Sequence, residues 1–144
     1  MITFVKTEAV LALRSMVLRD GKALEECVFP GDEKETSFHL ADIQEDQVIC
    51  VATFHLQANP RFPGKGYQLR GMATAPAFRG KGIGNQLLNF ATVYLRGQQT
   101  DYLWCNARKA AFSFYLGQGF EFISEEFDIP GIGPHRTMYL KIRV

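Results

Sequence analysis

The sequence predicts an α/β fold: a mixed sheet flanked by helices, in the order βααβββαβαββ. Three observations predict it. Short runs rich in β-branched and aromatic residues recur between turn-forming stretches. Residues 8–19, 83–95 and 107–117 carry apolar side chains at helical spacing. Strand-like and helix-like segments alternate, and helices in such an order must cover the faces of a sheet. The length of 144 residues fits one domain spanning 1–144, large enough to bury a core without disulfide staples.

The elements follow in order. Residues 2–7 (ITFVKT) are short and β-branched, a first strand. Residues 8–19 place Val10, Leu13 and Val17 on one helical face, with Gly21 as the cap. Residues 22–35 mix charge with Pro30 and Gly31 and read as a short helix and a loop. Residues 36–42 and 47–58 form two strands around a polar turn at Gln44–Asp46. Residues 59–66 (NPRFPGKG) are turn-rich, and Tyr67–Thr74 is a strand. After a glycine loop at 75–84, Ile83, Leu87, Phe90, Ala91, Tyr94 and Leu95 follow helical spacing until Gly97. Residues 101–105 are an apolar strand and 107–117 a helix. Residues 119–127 and 136–143 close the chain as strands around a Pro/Gly-rich loop at 130–134.

Composition excludes several classes of protein. Sixteen Lys and Arg stand against fifteen Asp and Glu, a formal net charge of +1. A dedicated nucleic-acid binder usually carries a strong basic excess. No apolar run approaches the ~20 residues that a membrane helix needs, and residues 9–13 do not read as a signal peptide. Cys27, Cys50 and Cys105 are odd in number and lack a CxxC spacing, which argues against a disulfide framework and for a cytoplasmic setting. His39, His55 and His135 show no HExxH or HxH spacing, so no metal is expected.

The sharpest local feature is Arg79-Gly80-Lys81-Gly82-Ile83-Gly84, between a strand and a helix. Glycines let the backbone turn tightly and approach a ligand. The helix start behind them offers unpaired N–H groups and positive dipole charge, an anion site suited to phosphate. The dinucleotide pattern GxGxxG fails at Asn85 or Leu87, and the P-loop pattern fails at Ala75 or Asn59. A plain surface loop before a helix is the other reading of these glycines.

Arg79-x-x-Gly82-x-Gly84 resembles the R/Q-x-x-G-x-G/A signature of the GNAT (acetyl-CoA-dependent) N-acetyltransferase superfamily. Ala110, Ala111, Phe114-Tyr115 and Gly119-Phe120 resemble that family's A..(L/F)Y...GF segment. The resemblance covers residues 67–120 and implies a largely antiparallel central sheet. It implies an enzyme that uses acetyl-CoA as cosubstrate, without a metal, to acetylate a primary amine of a small molecule. No nucleic acid or membrane partner is implied, and a homodimer is common in the family. Protein or peptide acceptors, other acyl-CoA donors and a non-catalytic acyl-CoA sensor are alternatives on the same scaffold.

The resemblance also implies roles. Met72 N–H would polarise the thioester carbonyl, an oxyanion-type donor, with Ala73 and Thr74 alongside the pantetheine arm. Arg79, Gly80, Lys81, Gly82, Ile83 and Gly84 would cradle the pyrophosphate, and Asn106 and Arg108 would serve the adenosine side. Tyr115 would protonate the departing thiolate; a phenol of pKa ~10 stays protonated at neutral pH. Tyr115 equally fits a core aromatic at helical spacing with Ala111 and Phe114. Two positions depart from the family. Gln68 stands where many members carry a glutamate that relays a proton, and Arg108 stands where many carry asparagine. The base is therefore open among Glu25, Glu26, His39, His55 and water. Glu125, Glu126 and Asp128 read as a solvated strand end or as a lure for a cationic amine.

Overall fold

The computed structural model describes residues 1–143. The fold is mixed α/β, with a mostly antiparallel central sheet and flanking helices. The chain divides into two compact units, Met1–Leu56 with Leu69–Tyr94, and Gln57–Gln68 with Leu95–Val144.

In the first unit, β1 (Ile2–Val5) pairs antiparallel with β2 (Phe38–Gln44), setting Ile2 opposite Asp42. Strand β2 pairs antiparallel with β3 (Gln47–Leu56). Only Glu45 and Asp46 separate the paired Gln44 and Gln47, and both have positive φ, 50° and 63°. A two-residue loop of this hand matches the twist of the flanking strands. Strand β4 (Gly66–Thr74) follows β3 in the sheet. Its end is tied back to the start of β3 by Ala75 N–H to Ile49 O, 2.8 Å.

The predicted helix over 8–19 is not one regular helix. It runs as a 3-10 turn (Thr7–Val10), one α turn, α1 (Leu11–Leu13), and a π-helical turn (Arg14–Leu18). Val10, Leu11 and Leu13 pack with Cys27, Ala41, Val51, Ala73 and Ala75 in the core. Each large aliphatic side chain so buried contributes about 1.5–3 kcal/mol. The π turn changes the helix register at Arg14, which lies wholly inside, with 0% exposure. Arg14 shares the helical face of Val10, Leu13 and Val17, so a charged residue stands among the core side chains. The segment after it keeps only a 3-10 turn, Leu24–Cys27.

Helix α2 (Ile83–Gly97) buries Ile83, Leu87, Leu88, Ala91 and Leu95. Phe90, expected in the core, is 38% exposed and meets Phe4 edge-on at 5.9 Å. Phe4 is itself largely exposed, so this part of the apolar stripe covers an open aromatic surface instead of the core.

In the second unit, the first residues of β4 pair parallel with β5 (Tyr102–Arg108), with Gly66 opposite Tyr102. Strand β5 pairs antiparallel with β8 (Gly133–Lys141), which also takes β6 (Glu121–Phe122) and β7 (Phe127–Ile129). Three expectations need correction here. Residues 107–108 extend the strand, and the helix starts later, as a 3-10 turn (Lys109–Ala111) and α3 (Phe112–Gly117). Ala107 is buried opposite Arg136, so sheet pairing overrides its helix propensity. The strand over 119–127 is two short pieces, broken at 123–126 where Ser124 Oγ accepts Thr137 N–H at 2.8 Å. The loop expected at 130–134 is only a tight turn at 130–132, closed by Ile132 N–H to Ile129 O at 2.9 Å, with Gly133 and Pro134 already in β8.

Candidate active site

The glycine loop keeps the form its residues favour. Gly80 and Gly82 take φ of +75° and +77°, a left-handed backbone that only glycine adopts without strain. A Cβ at either position would touch nothing within 4 Å, so neither glycine is required for packing. What they require is the turn itself, which leads straight into α2. Gln86 N–H bonds to Gly82 O at 3.1 Å and closes the first helical turn. The first backbone N–H groups of a helix have no partner within it. No acidic side chain lies in this first turn to neutralise them. Residues Arg79 to Gly82 are all exposed, while Ile83 anchors the helix start in the core. Lys81 Nζ hangs 5.5 Å from the Phe78 ring centroid, and Arg79 Nε donates to Thr74 O at 3.3 Å. The result is an open, positively polarised shelf for an anion.

Strand β4 carries the rest of this unit's expected residues. Met72 is half-buried, and Ala73 lies in the core, so its side chain is closed to a ligand. Thr74 Oγ1 lies 3.3 Å from Cys50 Sγ. Gly71, which the sequence reading passed over, has φ +61° in mid-strand. A left-handed residue inside a strand is the mark of a bulge that turns a peptide out of the ladder. A Cβ at Gly71 would stand 2.9 Å from Arg14 Nε and 3.0 Å from Phe29 Cε2. Both the turn and the packing therefore demand glycine.

In the second unit, Asn106 and Arg108 lie on β5, not at a helix start. Asn106 is exposed, and its Oδ1 accepts the Thr137 hydroxyl at 2.8 Å. Tyr115 on α3 is buried, with edge-on contacts to Phe114 at 5.1 Å and Phe120 at 5.2 Å. The acidic stretch is solvated: Glu126 pairs loosely with Lys109 at 3.6 Å, both exposed. Cys105 is fully enclosed, and burial pushes its thiol up, the opposite of a nucleophile's need.

The larger finding is a buried polar network in the first unit. Asp32 is its centre. Arg14 grips the Asp32 carboxylate with both terminal nitrogens, at 2.7 and 3.2 Å. Arg14 also donates to Cys27 O at 2.9 Å and to Thr53 Oγ1 at 2.7 Å. Phe29 N–H and His55 Nε2 reach Asp32 at 2.7 and 2.9 Å. Burial alone would push the Asp32 carboxyl up. The hydrogen bonds from His55, Arg14 and Phe29, with the Arg14 charge, outweigh it and hold the carboxyl well below its usual range.

The two candidate histidines differ sharply. His39 spends both ring nitrogens, Nδ1 on Thr53 at 2.7 Å and Nε2 on Thr7 and Asp32 O at 3.1 Å each. Burial pushes its pKa down. His55 binds Asp32 through Nε2 alone, and its Nδ1 has no partner among the described residues. A carboxylate on one ring nitrogen fixes the tautomer and leaves the other as an acceptor. Thr53, not His55, stands opposite His39 in the strand pairing. Asp32 joins the two histidines instead. Among the described residues no group of three or more His, Cys, Asp or Glu could hold a metal. Glu25 and Glu26 sit exposed on a 3-10 turn.

A profile described as an acetyltransferase (GNAT) domain matches residues 34–122, more than half of the chain. The chain belongs to the GNAT acetyltransferase family. It is therefore an acyltransferase. A Bacillus subtilis (strain 168) relative, an uncharacterized N-acetyltransferase named YitI, is 34% identical over 140 residues, 96% of this chain and 94% of the relative. Among solved structures, the fold matches an aminoglycoside 6'-N-acetyltransferase complexed with coenzyme A, at TM-score 0.79 and 12% identity, covering 100% of this chain and 98% of the other. It also matches FeeM, an N-acyl amino acid synthase from uncultured soil microbes, at TM-score 0.81 and 12% identity, covering 99% and 90%. Among the described residues no helix is long and apolar enough to cross a membrane.

Proposed function

We propose that this GNAT protein moves the acetyl group of acetyl-CoA to a primary amine of a small molecule by direct attack. The observation that carries this reading is the exposed glycine loop opening onto a helix start without acidic residues. Residues 79–84 would hold the pyrophosphate through backbone N–H groups, with Arg79 and Lys81 adding charge. Met72 N–H, beside the left-handed Gly71, would donate to the thioester oxygen as negative charge grows there. Tyr115 would return a proton to the departing thiolate. Asn106 and Arg108 would contact the adenosine side.

The substrate ammonium must lose one proton before attack and a second as the amide forms. Of the base candidates, His55 has the support of geometry: a free Nδ1 and a carboxylate behind Nε2. His39 has no nitrogen to spare.

The reading is tested by mixing the protein with acetyl-CoA and a panel of amines and following free thiol. Thiol release with stoichiometric N-acetyl product is expected. Acetyl-CoA binding without release across the panel would point to a non-catalytic sensor, and no binding at all would overturn the donor.

A further inference from the structure

Three guanidinium groups converge on one aromatic ring in the first unit. The Cζ atoms of Arg14, Arg70 and Arg19 lie 3.9, 4.4 and 5.5 Å from the Phe29 ring centroid. One carboxylate serves all three, and Asp32 gives it to Arg14. Arg19 and Arg70 make no ion pair and no side-chain hydrogen bond among the described residues. Both are half-buried, so each keeps an exposed portion. Stacking on Phe29 holds them in place without neutralising them. Burial, and then the Arg14 and Arg19 charges, push Arg70 below its ordinary value against the pull of Asp32. The cluster carries two positive charges more than it can balance.

The position is specific. Arg70 precedes Gly71 and Met72 on β4. Two residues of strand span about 6.6 Å or less, a distance that a small amine with an attached anion can bridge. The buried Arg14–Asp32 fork beside them shows an arginine holding a carboxylate through paired N–H donors.

We propose that Arg19 and Arg70, braced by Phe29 and Arg14, bind the carboxylate of the acceptor, so that the substrate is an amino acid and not a simple amine. This rests on the transferase reading above and narrows its substrate class. Arg14 and Asp32 position the pair, while Arg19 and Arg70 touch the substrate.

The test compares amino acids with their decarboxylated counterparts as acceptors: phenylalanine with phenethylamine, leucine with isopentylamine, lysine with cadaverine. The carboxylate-bearing member of an accepted pair is expected to show at least about 10-fold higher kcat/KM. A charge-assisted pair is worth a factor of about 10–100. Arg70→Gln and Arg19→Gln should raise the acceptor KM by that factor and leave the KM for acetyl-CoA unchanged. Equal use of both members of every accepted pair would overturn the proposal. So would Gln variants that keep the preference, or a preference for phosphate-bearing amines. If no amine releases thiol, the transferase reading fails and binding alone judges the subsite. N-acetyl amino acids should then bind wild type, measured calorimetrically with CoA present. Matched N-alkylacetamides and the Arg70→Gln protein should show no binding. Absence of carboxylate-dependent binding overturns the subsite independently.

Discussion

The glycine loop and the Asp32 network lie in the same unit and are built on opposite principles. The loop is six consecutive residues, Arg79 to Gly82 of them exposed, and in the proposed function it would act through backbone N–H groups. The network draws Thr7, Arg14, Asp32, His39, Thr53 and His55 from separate turns and strands, and works through side chains that are almost fully buried. In the loop, turn geometry is everything and packing is nothing, since no atom would touch a Cβ at Gly80 or Gly82. In the network, packing is decisive, because each polar group left without its partner costs its full desolvation. Damage to the loop should therefore reach ligand affinity first, and damage to the network should reach stability first.

Arg14→Met breaks this comparison open most widely. It leaves the Asp32 carboxylate buried with His55 and one backbone N–H. Removing one partner of a buried pair costs about 3–5 kcal/mol. Denaturant unfolding should show a loss of that size. Tyr115→Phe and His55→Gln should each lower kcat about 100-fold, the low end of general acid–base contributions. Acetyl-CoA affinity should change little in either variant. Full activity in either variant would remove that residue from the chemistry.

Gly82→Val sharpens the contrast from the loop side. A side chain at φ +77° costs about 1–2 kcal/mol of strain. Acetyl-CoA affinity should fall by at least about 10-fold, measured by titration, with the far-UV spectrum intact. Unchanged affinity would mean that the phosphates bind elsewhere. The smallest effect is on pH. His39 has its pKa lowered on folding, so the unfolded chain binds more protons below the ordinary value near 6.5. Stability is then complete above that value and falls as the pH drops through it. Asp32, also lowered, adds a second loss as the pH falls past the ordinary carboxylate value near 3.8. Melting temperature should decline between neutral and mildly acidic pH, and His39→Gln should flatten the first part of the decline.

The same contrast explains what could be read in the chain. The loop was legible because its chemistry is local: Arg79-x-x-Gly82-x-Gly84 sits in one window, between a strand and a helix. Strands β2 and β3 were legible from alternation and a polar turn, and α2 from its apolar stripe. Arg14 was not. Its charge argues for the surface although it shares a face with Val10, Leu13 and Val17, and only a carboxylate eighteen residues away makes burial tolerable. Gly71 was missed for a related reason. A glycine inside a strand carries no sign of its φ until Arg14 and Phe29 are packed against it. The end of β5 was misread because sheet pairing, not local propensity, decides residues 107–108.

By itself the sequence determined the alternation of strands and helices, the glycine turn before α2 and the membership that those motifs imply. These follow from the period of apolar side chains and from glycine's freedom at positive φ, both properties of neighbouring residues. The tertiary structure decided which charges are buried, which histidine keeps a free nitrogen, and that three arginines share one aromatic ring. Those depend on desolvation and on partners distant in the chain, which no local pattern encodes.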